Sequence, residues 1–200
     1  MDEKLAERHY ITADELLADS FRLALQVLDS GCRPTHIVGI WRGGTPVGIA
    51  VQELLEFCGV KTDHIAIRTS LYTGIGTTAG RVRVHGLSYI VKNVNAEDSL
   101  LIVDDVYDSG RSIRQVIADL RAQCRRNTPQ ISIATVYRKP KASPPSDVPH
   151  YYVHDTDRWL VFPHELVGLS VEEILAHKSG IEAIRARLTA LRSAPASSAR

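Results

Sequence analysis

The sequence predicts an α/β fold with a largely parallel central sheet flanked by helices, and three observations lead there. Short β-branched runs alternate with amphipathic helical patterns along most of the chain. Residues 100–103 are continuously apolar, as suits a strand covered on both faces of a parallel sheet. That run ends in two adjacent carboxylates, Asp104 and Asp105, and ligands of open α/β sheets bind at the C-terminal ends of strands.

Taken in order, Thr12-Ala13-Asp14-Glu15 is a capping box that opens a helix. Leu17, Phe21, Ala24, Leu25 and Leu28 are its expected buried face, with Gly31 as the stop and Pro34 just beyond. Residues 36–40 read as a buried strand running into Trp41-Arg42-Gly43-Gly44-Thr45. Pro46 suits the first position of the next helix, with Thr45 as its cap, and that helix ends near Gly59. Residues 64–69 form a third element, a strand. Residues 70–80 show little periodicity and read as a mobile loop. Residues 81–85 and 88–92 both alternate about Gly86 and are expected to form a hairpin.

After the strand at 100–105 comes a helix from Ser112 to about Arg125, then a β-branched strand over 131–137. Residues 139–149 are rich in Pro and Ser and cannot join a sheet centre. Residues 151–153 and 159–161 are short strands, and Ser170-Val171-Glu172-Glu173 caps one more helix. Residues 193–200 read as a frayed tail. The expected organisation is one domain over 1–166, with a small hood at about 138–166, followed by a helical extension over 167–192.

Composition narrows the function classes. The 200 residues suffice for one α/β domain with a real core. Lys and Arg total 24 against 23 for Asp and Glu, which argues against broad binding to nucleic acid or anionic membranes. No apolar run approaches the roughly 20 residues that span a bilayer. The start Met1-Asp2-Glu3-Lys4 lacks an apolar signal core. Cys32, Cys58 and Cys124 are odd in number and widely spaced, so three reduced thiols in a cytoplasmic protein are expected. His150 and His154 lie in a strand-like, Pro-rich stretch that argues against a metal site. Arg81 and Arg83 alternate as one solvated face.

The functional signal is concentrated between Leu100 and Ser112. Asp104 and Asp105 are acceptors for hydroxyl groups. Ser109, Gly110, Arg111 and Ser112 form a small-residue turn at a helix start, a ready anion site. Acceptors for hydroxyls a few residues from donors for a phosphate fit a sugar phosphate. The residues alone also allow Asp108 to be a plain helix N-cap.

The succession of apolar strand, Asp104-Asp105, two positions, Asp108, Ser109, Gly110, one position and Ser112 resembles the 5-phosphoribosyl-1-pyrophosphate (PRPP) signature of type I phosphoribosyltransferases. Ile40-Trp41-Arg42-Gly43-Gly44 is similar to that family's pyrophosphate loop. The resemblance implies that Asp104 and Asp105 hold the ribose hydroxyls, directly or through a Mg2+ shell that arrives mainly with PRPP. It assigns the 5-phosphate to residues 108–112 and the diphosphate to Arg42, Gly43 and Gly44, with Arg42 and Mg2+ stabilising the leaving group. In purine members Asp108 also faces the base and is the candidate general base.

Lys139-Pro140 after a strand, with Trp159-Leu160 some twenty residues on, resembles the hood of bacterial xanthine-guanine and archaeal hypoxanthine-guanine phosphoribosyltransferases. This implies that Lys139 donates to the O6 of a 6-oxopurine, that Trp159 stacks on the ring, and that main chain near Leu160 reads the base. Read as residues only, Lys139 also fits a solvated surface lysine and Trp159 a core aromatic. Ser70 and Tyr72 resemble the family's lid pair, with Leu71 between them. Val161, Phe162, His164 and Glu165 depart from the xanthine-guanine pattern and leave the choice among hypoxanthine, guanine and xanthine open. A phosphoribosyltransferase for another base, and a PRPP- or nucleotide-sensing regulator on the same fold, are the rival readings. The resemblance further implies a homodimer or homotetramer.

Overall fold

Among the residues that the computed structural model describes, 8–72, 81–142 and 148–193, the patterns resolve into eight strands and six α-helices. They are β1 (Arg8–Tyr10), α1 (Ala13–Asp29), β2 (His36–Trp41), α2 (Gly44–Phe57), β3 (Asp63–Tyr72), β4 (Arg81–His85) and α3 (Ser88–Asn93). Then follow β5 (Ser99–Tyr107), α4 (Arg111–Cys124), β6 (Gln130–Arg138), β7 (Tyr151–Asp155), β8 (Trp159–Val161), α5 (Val171–His177) and α6 (Arg185–Ser193). The chain divides into two compact units. The larger is Leu17–Asp157; the smaller joins Met1–Leu16 to Arg158–Arg200.

In the larger unit six strands form one sheet in the order β4-β3-β2-β5-β6-β7. All neighbours are parallel except β4, which runs antiparallel to β3. The expected α/β architecture is therefore present. The central strand β5 buries Leu100, Leu101, Ile102 and Val103 completely, as its uninterrupted apolar run requires. One face of the sheet packs Val38, Ile40, Ile102 and Ile133 with Ile90 of α3 and Ile113, Val116 and Leu120 of α4. In the smaller unit β1 and β8 make a two-stranded parallel ladder that pairs Arg8 with Trp159 and Tyr10 with Val161. No described helix is long and apolar enough to cross a membrane. All three cysteines are free.

Several expectations hold at atomic detail. In the Thr12 capping box the Thr12 N–H donates to Glu15 Oε2 (2.8 Å) and the Glu15 N–H to Thr12 Oγ1 (3.2 Å). Ser170 and Glu173 form the reciprocal pair at α5. In the 150–154 stretch His150 Nδ1 accepts from the Ile133 N–H (3.1 Å), and His154 Nε2 lies 2.8 Å from Asp19 Oδ2.

Others are corrected. The buried face of α1 is Leu16, Ser20, Leu23, Ala24 and Val27, whereas Leu17, Phe21 and Leu25 are exposed. Two apolar stripes of the same helical spacing run side by side on this segment, and the one centred on Leu23 is the one buried. Residues 88–92 are helical, and the antiparallel partner of β4 is β3. The buried anchors there are Leu87, Ile90 and Val94, spaced three and four apart as a helix demands. Thr45 does not cap α2: Gly43 is the N-cap and Thr45 Oγ1 has no hydrogen-bond partner. Residues 70–72, expected in a loop, continue β3.

Candidate functional site

Parallel strand β2 pairs with β3 on one side and β5 on the other. The chain continues from β3 toward one sheet edge and from β5 toward the other, so the order reverses between β2 and β5. The C-terminal ends of those two strands flank the crevice that ligands use in such sheets. From β2 issues the turn Arg42-Gly43, after a cis peptide at Trp41–Arg42, leading into Gly44 at the start of α2; from β5 issues the loop 108–110.

The two segments meet because the first carries no side chains at its contact. A Cβ on Gly43 would fall 1.6 Å from Asp105 Oδ2. One on Gly44 would fall 2.5 Å from the Val103 carbonyl oxygen and 2.8 Å from Asp104 Cα. Gly43 has φ −68° and ψ −32°, ordinary helical backbone, so closeness and not torsion is what requires glycine.

Against this loop stand the two carboxylates. The Asp105 N–H donates to Asp104 Oδ1 (3.0 Å) and the Val106 N–H to Asp105 Oδ1 (2.8 Å). Desolvation, and then the adjacent Asp105, hold the Asp104 carboxyl well above the usual carboxylate range, against the main-chain donors of Asp105 and Gly44. Such a pair is relieved by hydroxyl donors or by a cation. Among the described residues no group of three or more His, Cys, Asp or Glu side chains is gathered to hold a metal. The oxygens available are those of Asp104 and Asp105, which suit a hard cation that takes further oxygens from its ligand and from water.

Beyond the pair, Gly110 takes φ +69° and is the N-cap of α4, with no side-chain capping bond. That removes Asp108 from the capping role. A Cβ on Gly110 would fall 2.3 Å from the Tyr107 hydroxyl, so both torsion and space demand glycine. Arg114 Nη2 donates to the Ser109 carbonyl (2.8 Å) and fixes the turn from the first helical turn of α4. Asp104, Asp108, Ser109, Gly110, Arg111 and Ser112 line a concavity of about 90 Å3. A single water molecule needs ~10–15 Å3 of such space, so there is room for a phosphate-sized group.

Lys139 arrives through strand pairing. β5 and β6 match Tyr107 with Arg138, and the Lys139 N–H donates to the Tyr107 carbonyl (2.9 Å). The end of β6 is fixed by Arg138, whose Nε and Nη2 bond both Asp155 oxygens (2.6 and 2.7 Å) while its guanidinium lies 4.4 Å from the Tyr152 ring centre. Lys139 Nζ then lies 3.7 Å from Asp108 Oδ2. Its side chain is only 19% exposed, which is not the state of a solvated surface lysine. Tyr107, Arg114, Arg138 and Asp155 went unmarked in the sequence. The β5–β6 register brings Tyr107 beside Arg138, the β6–β7 register brings Asp155 to Arg138, and the first turn of α4 brings Arg114 to Ser109.

A family model for the phosphoribosyl transferase domain matches residues 11–167. The chain belongs to that family. It is a phosphoribosyltransferase, with the type I phosphoribosyltransferase fold. The enzyme is 29% identical over 167 residues to the xanthine-guanine phosphoribosyltransferase of Ruegeria sp. (strain TM1040), a match that covers 82% of this chain and 88% of that one. It is similar to the crystal structure of a purine phosphoribosyltransferase from Pyrococcus horikoshii OT3, with 26% identity, a TM-score of 0.62, and 82% and 97% of the two chains covered. A hypothetical protein from Neisseria gonorrhoeae solved with bound ppGpp shares the fold at 18% identity and a TM-score of 0.70, over 88% and 97% of the two chains.

Four further residues are assigned to the site by resemblance alone. Trp159 and Leu160 belong to β8 of the smaller unit. Trp159 is 60% exposed and is no core aromatic, while Leu160 is buried. Ser70 and Tyr72 lie on β3 paired with Arg83 and Arg81, and Ser70 Oγ is 3.2 Å from His85 Nε2. The rest of the expected lid, residues 73–80, lies outside the described residues.

Proposed function

We propose that the enzyme transfers the 5-phosphoribosyl group of PRPP to a 6-oxopurine — hypoxanthine, guanine or xanthine — and releases pyrophosphate in a purine salvage reaction. The single observation behind this reading is the Lys139–Asp108 pair beside the phosphate-sized concavity. A cationic donor and a carboxylate acceptor there match the O6 and the ring N–H of a 6-oxopurine, and an amino group at position 6 would find no acceptor on Lys139.

In this reading residues 108–112 take the 5-phosphate, and Asp104 and Asp105 the ribose hydroxyls. Arg42 and the main chain of Gly43 and Gly44 take the diphosphate. The bond from the anomeric carbon to the diphosphate oxygen breaks with its electron pair leaving on pyrophosphate. A ring nitrogen of the base supplies the new bond, and its proton passes to Asp108. Mg2+ held by Asp104, Asp105, PRPP oxygens and water would neutralise charge on the diphosphate. Trp159 offers an exposed ring for stacking, and main chain at Leu160 is assigned to the base by resemblance. Ser70 and Tyr72 keep their assignment to the lid base. A homodimer or homotetramer in the cytoplasm belongs to the same reading, and the unbridged cysteines are in keeping with a reducing compartment.

The test is nucleotide formation from PRPP and Mg2+ with hypoxanthine, guanine, xanthine, adenine, uracil and orotate in separate reactions. Turnover of a 6-oxopurine is expected. It should fall roughly 100-fold or more in Asp108→Asn, as loss of a general base implies. Lys139→Ala should raise the base KM by roughly ten-fold through loss of a charged donor. Turnover with adenine or a pyrimidine alone would discard the base assignment. PRPP binding without turnover of any base would indicate a regulator.

A further inference from the structure

Beyond residue 166 the described chain carries α5 and α6, and the side chains around α5 point to a purpose. Within the smaller unit the Lys178 side chain is buried, at 7% exposure, and its Nζ donates to the Phe162 carbonyl (2.6 Å). That same carbonyl accepts from the Glu165 N–H (3.0 Å), while Glu165 Oε2 accepts from the Phe162 N–H (3.0 Å). Lys178 therefore closes the turn 162–165 that immediately follows Trp159, Leu160 and Val161.

The other side of the same strand is held by the same extension. Glu173 of α5 accepts from the Tyr10 hydroxyl (3.0 Å) and from Arg8, and the Tyr10 ring stacks on His177 at 3.7 Å with a 10° interplanar angle. Arg8 and Tyr10 belong to β1, which pairs along Trp159–Val161, and the Ile11 N–H donates to the Val161 carbonyl (3.0 Å). Strand β8 thus has α5 behind its ladder partner and Lys178 on its exit turn.

We infer that Lys178 is a positioning residue for base recognition: it fixes the β8 exit turn so that the Trp159 ring and the Leu160 main chain are presented in one geometry to the purine. Burying an ammonium costs desolvation, which also lowers its pKa here. A methionine or leucine would fill the same space without that cost, so a lysine at this place is explained by the carbonyl it holds. The extension then acts on the base-binding step and leaves the PRPP step alone. The inference rests on the assignment of Trp159 and Leu160 to the base.

The experiment compares the full-length wild type with Lys178→Met, Lys178→Arg, Tyr10→Phe and Trp159→Ala. KM for the preferred 6-oxopurine and for PRPP, kcat and Tm are measured well below the melting temperature of each variant. Lys178→Met should raise the base KM by roughly ten-fold, the loss of a charged donor, with the PRPP KM unchanged. Lys178→Arg, which keeps a charged donor, should restore most of the base KM. Tyr10→Phe, a milder change to the same support, should raise the base KM about three-fold and carries the test if Lys178→Met fails to fold. An unchanged base KM in Lys178→Met, or equal rises in both KM values, overturns the inference while Trp159→Ala still shows its own defect. An unchanged base KM in Trp159→Ala shows instead that the base assignment beneath it has failed, and the inference falls with it.

Discussion

Gly44→Ala isolates the close approach on which the crevice depends. Gly44 opens α2 and has no positive φ, so backbone torsion does not resist alanine there. Helix propensity alone would favour the change by about 1 kcal/mol. Space opposes it. The new methyl carbon would lie 2.5 Å from the Val103 oxygen and 2.8 Å from Asp104 Cα, where ordinary carbon–carbon contact needs about 3.5–4 Å. Both neighbours are main-chain atoms of β5, which is paired on both sides by β2 and β6 and cannot step back. The loop must move outward by about 1 Å or the sheet must strain. Overpacking of this kind costs about 1–3 kcal/mol, so a net loss of up to ~2 kcal/mol remains after propensity. Displacement of a positioning loop by about 1 Å can cost roughly 100-fold in rate. Urea unfolding and a PRPP titration of kcat/KM read the two effects. Gly59→Ala is the control: nothing lies within 4 Å of its Cβ, but φ is +84°, so it should lose about 1 kcal/mol with PRPP kinetics intact. A Gly44→Ala enzyme with wild-type stability and wild-type PRPP kinetics would refute the steric account.

Further outcomes follow from the same site. In Gly43→Ala the clash is with the Asp105 carboxylate and not with main chain, so the PRPP KM should rise while urea stability changes less than in Gly44→Ala. For Asp104 the folded pKa stands above the unfolded value. Its contribution to stability is therefore complete below about pH 4 and lost as pH rises through the raised folded value. Asp104→Asn should raise Tm at neutral pH, leave it unchanged below about pH 4, and abolish PRPP turnover; a lower Tm at neutral pH would contradict the desolvation argument. Tyr107→Phe removes a buried hydroxyl that has no hydrogen-bond partner, and calorimetry should show about 1 kcal/mol of added stability, or ~2–4 °C in Tm for a chain of this size.

How far the sequence could be read depended on whether a signal was local. Strand β5 and its acidic end were legible because thirteen consecutive residues carry the strand, the carboxylates and the small-residue turn. The Gly43-Gly44 turn after β2 was legible for the same reason, though not the distances that make its glycines necessary. Helix α3 was misread because the window 88–92 alternates, and its helical character appears only when Leu87 and Val94 are added on either side. The α1 face was misread because two leucine-bearing stripes compete and only tertiary packing chooses between them. Strand β1 has three residues and no pattern; it is a strand because β8 pairs with it. The Lys139–Asp108 pair likewise depends on the register between β5 and β6, which no residue type announces.

The ladder of β1 with β8 has a consequence for the order of folding. Its supports join parts of the chain far apart, as with Tyr10 and Glu173, which stand 163 positions apart. Contacts of such separation form late, since loop closure opposes them until the intervening chain is compact. Residues 8–11 must therefore wait, unpaired, until residues 159–178 have been synthesised, while β2 through β7 can assemble earlier around β5. The smaller unit should be the last to gain and the first to lose protection in hydrogen exchange. Trp159 and Leu160 would then ride on the least durable part of the molecule, whereas Asp108, Lys139 and the residues assigned to PRPP belong to the most durable.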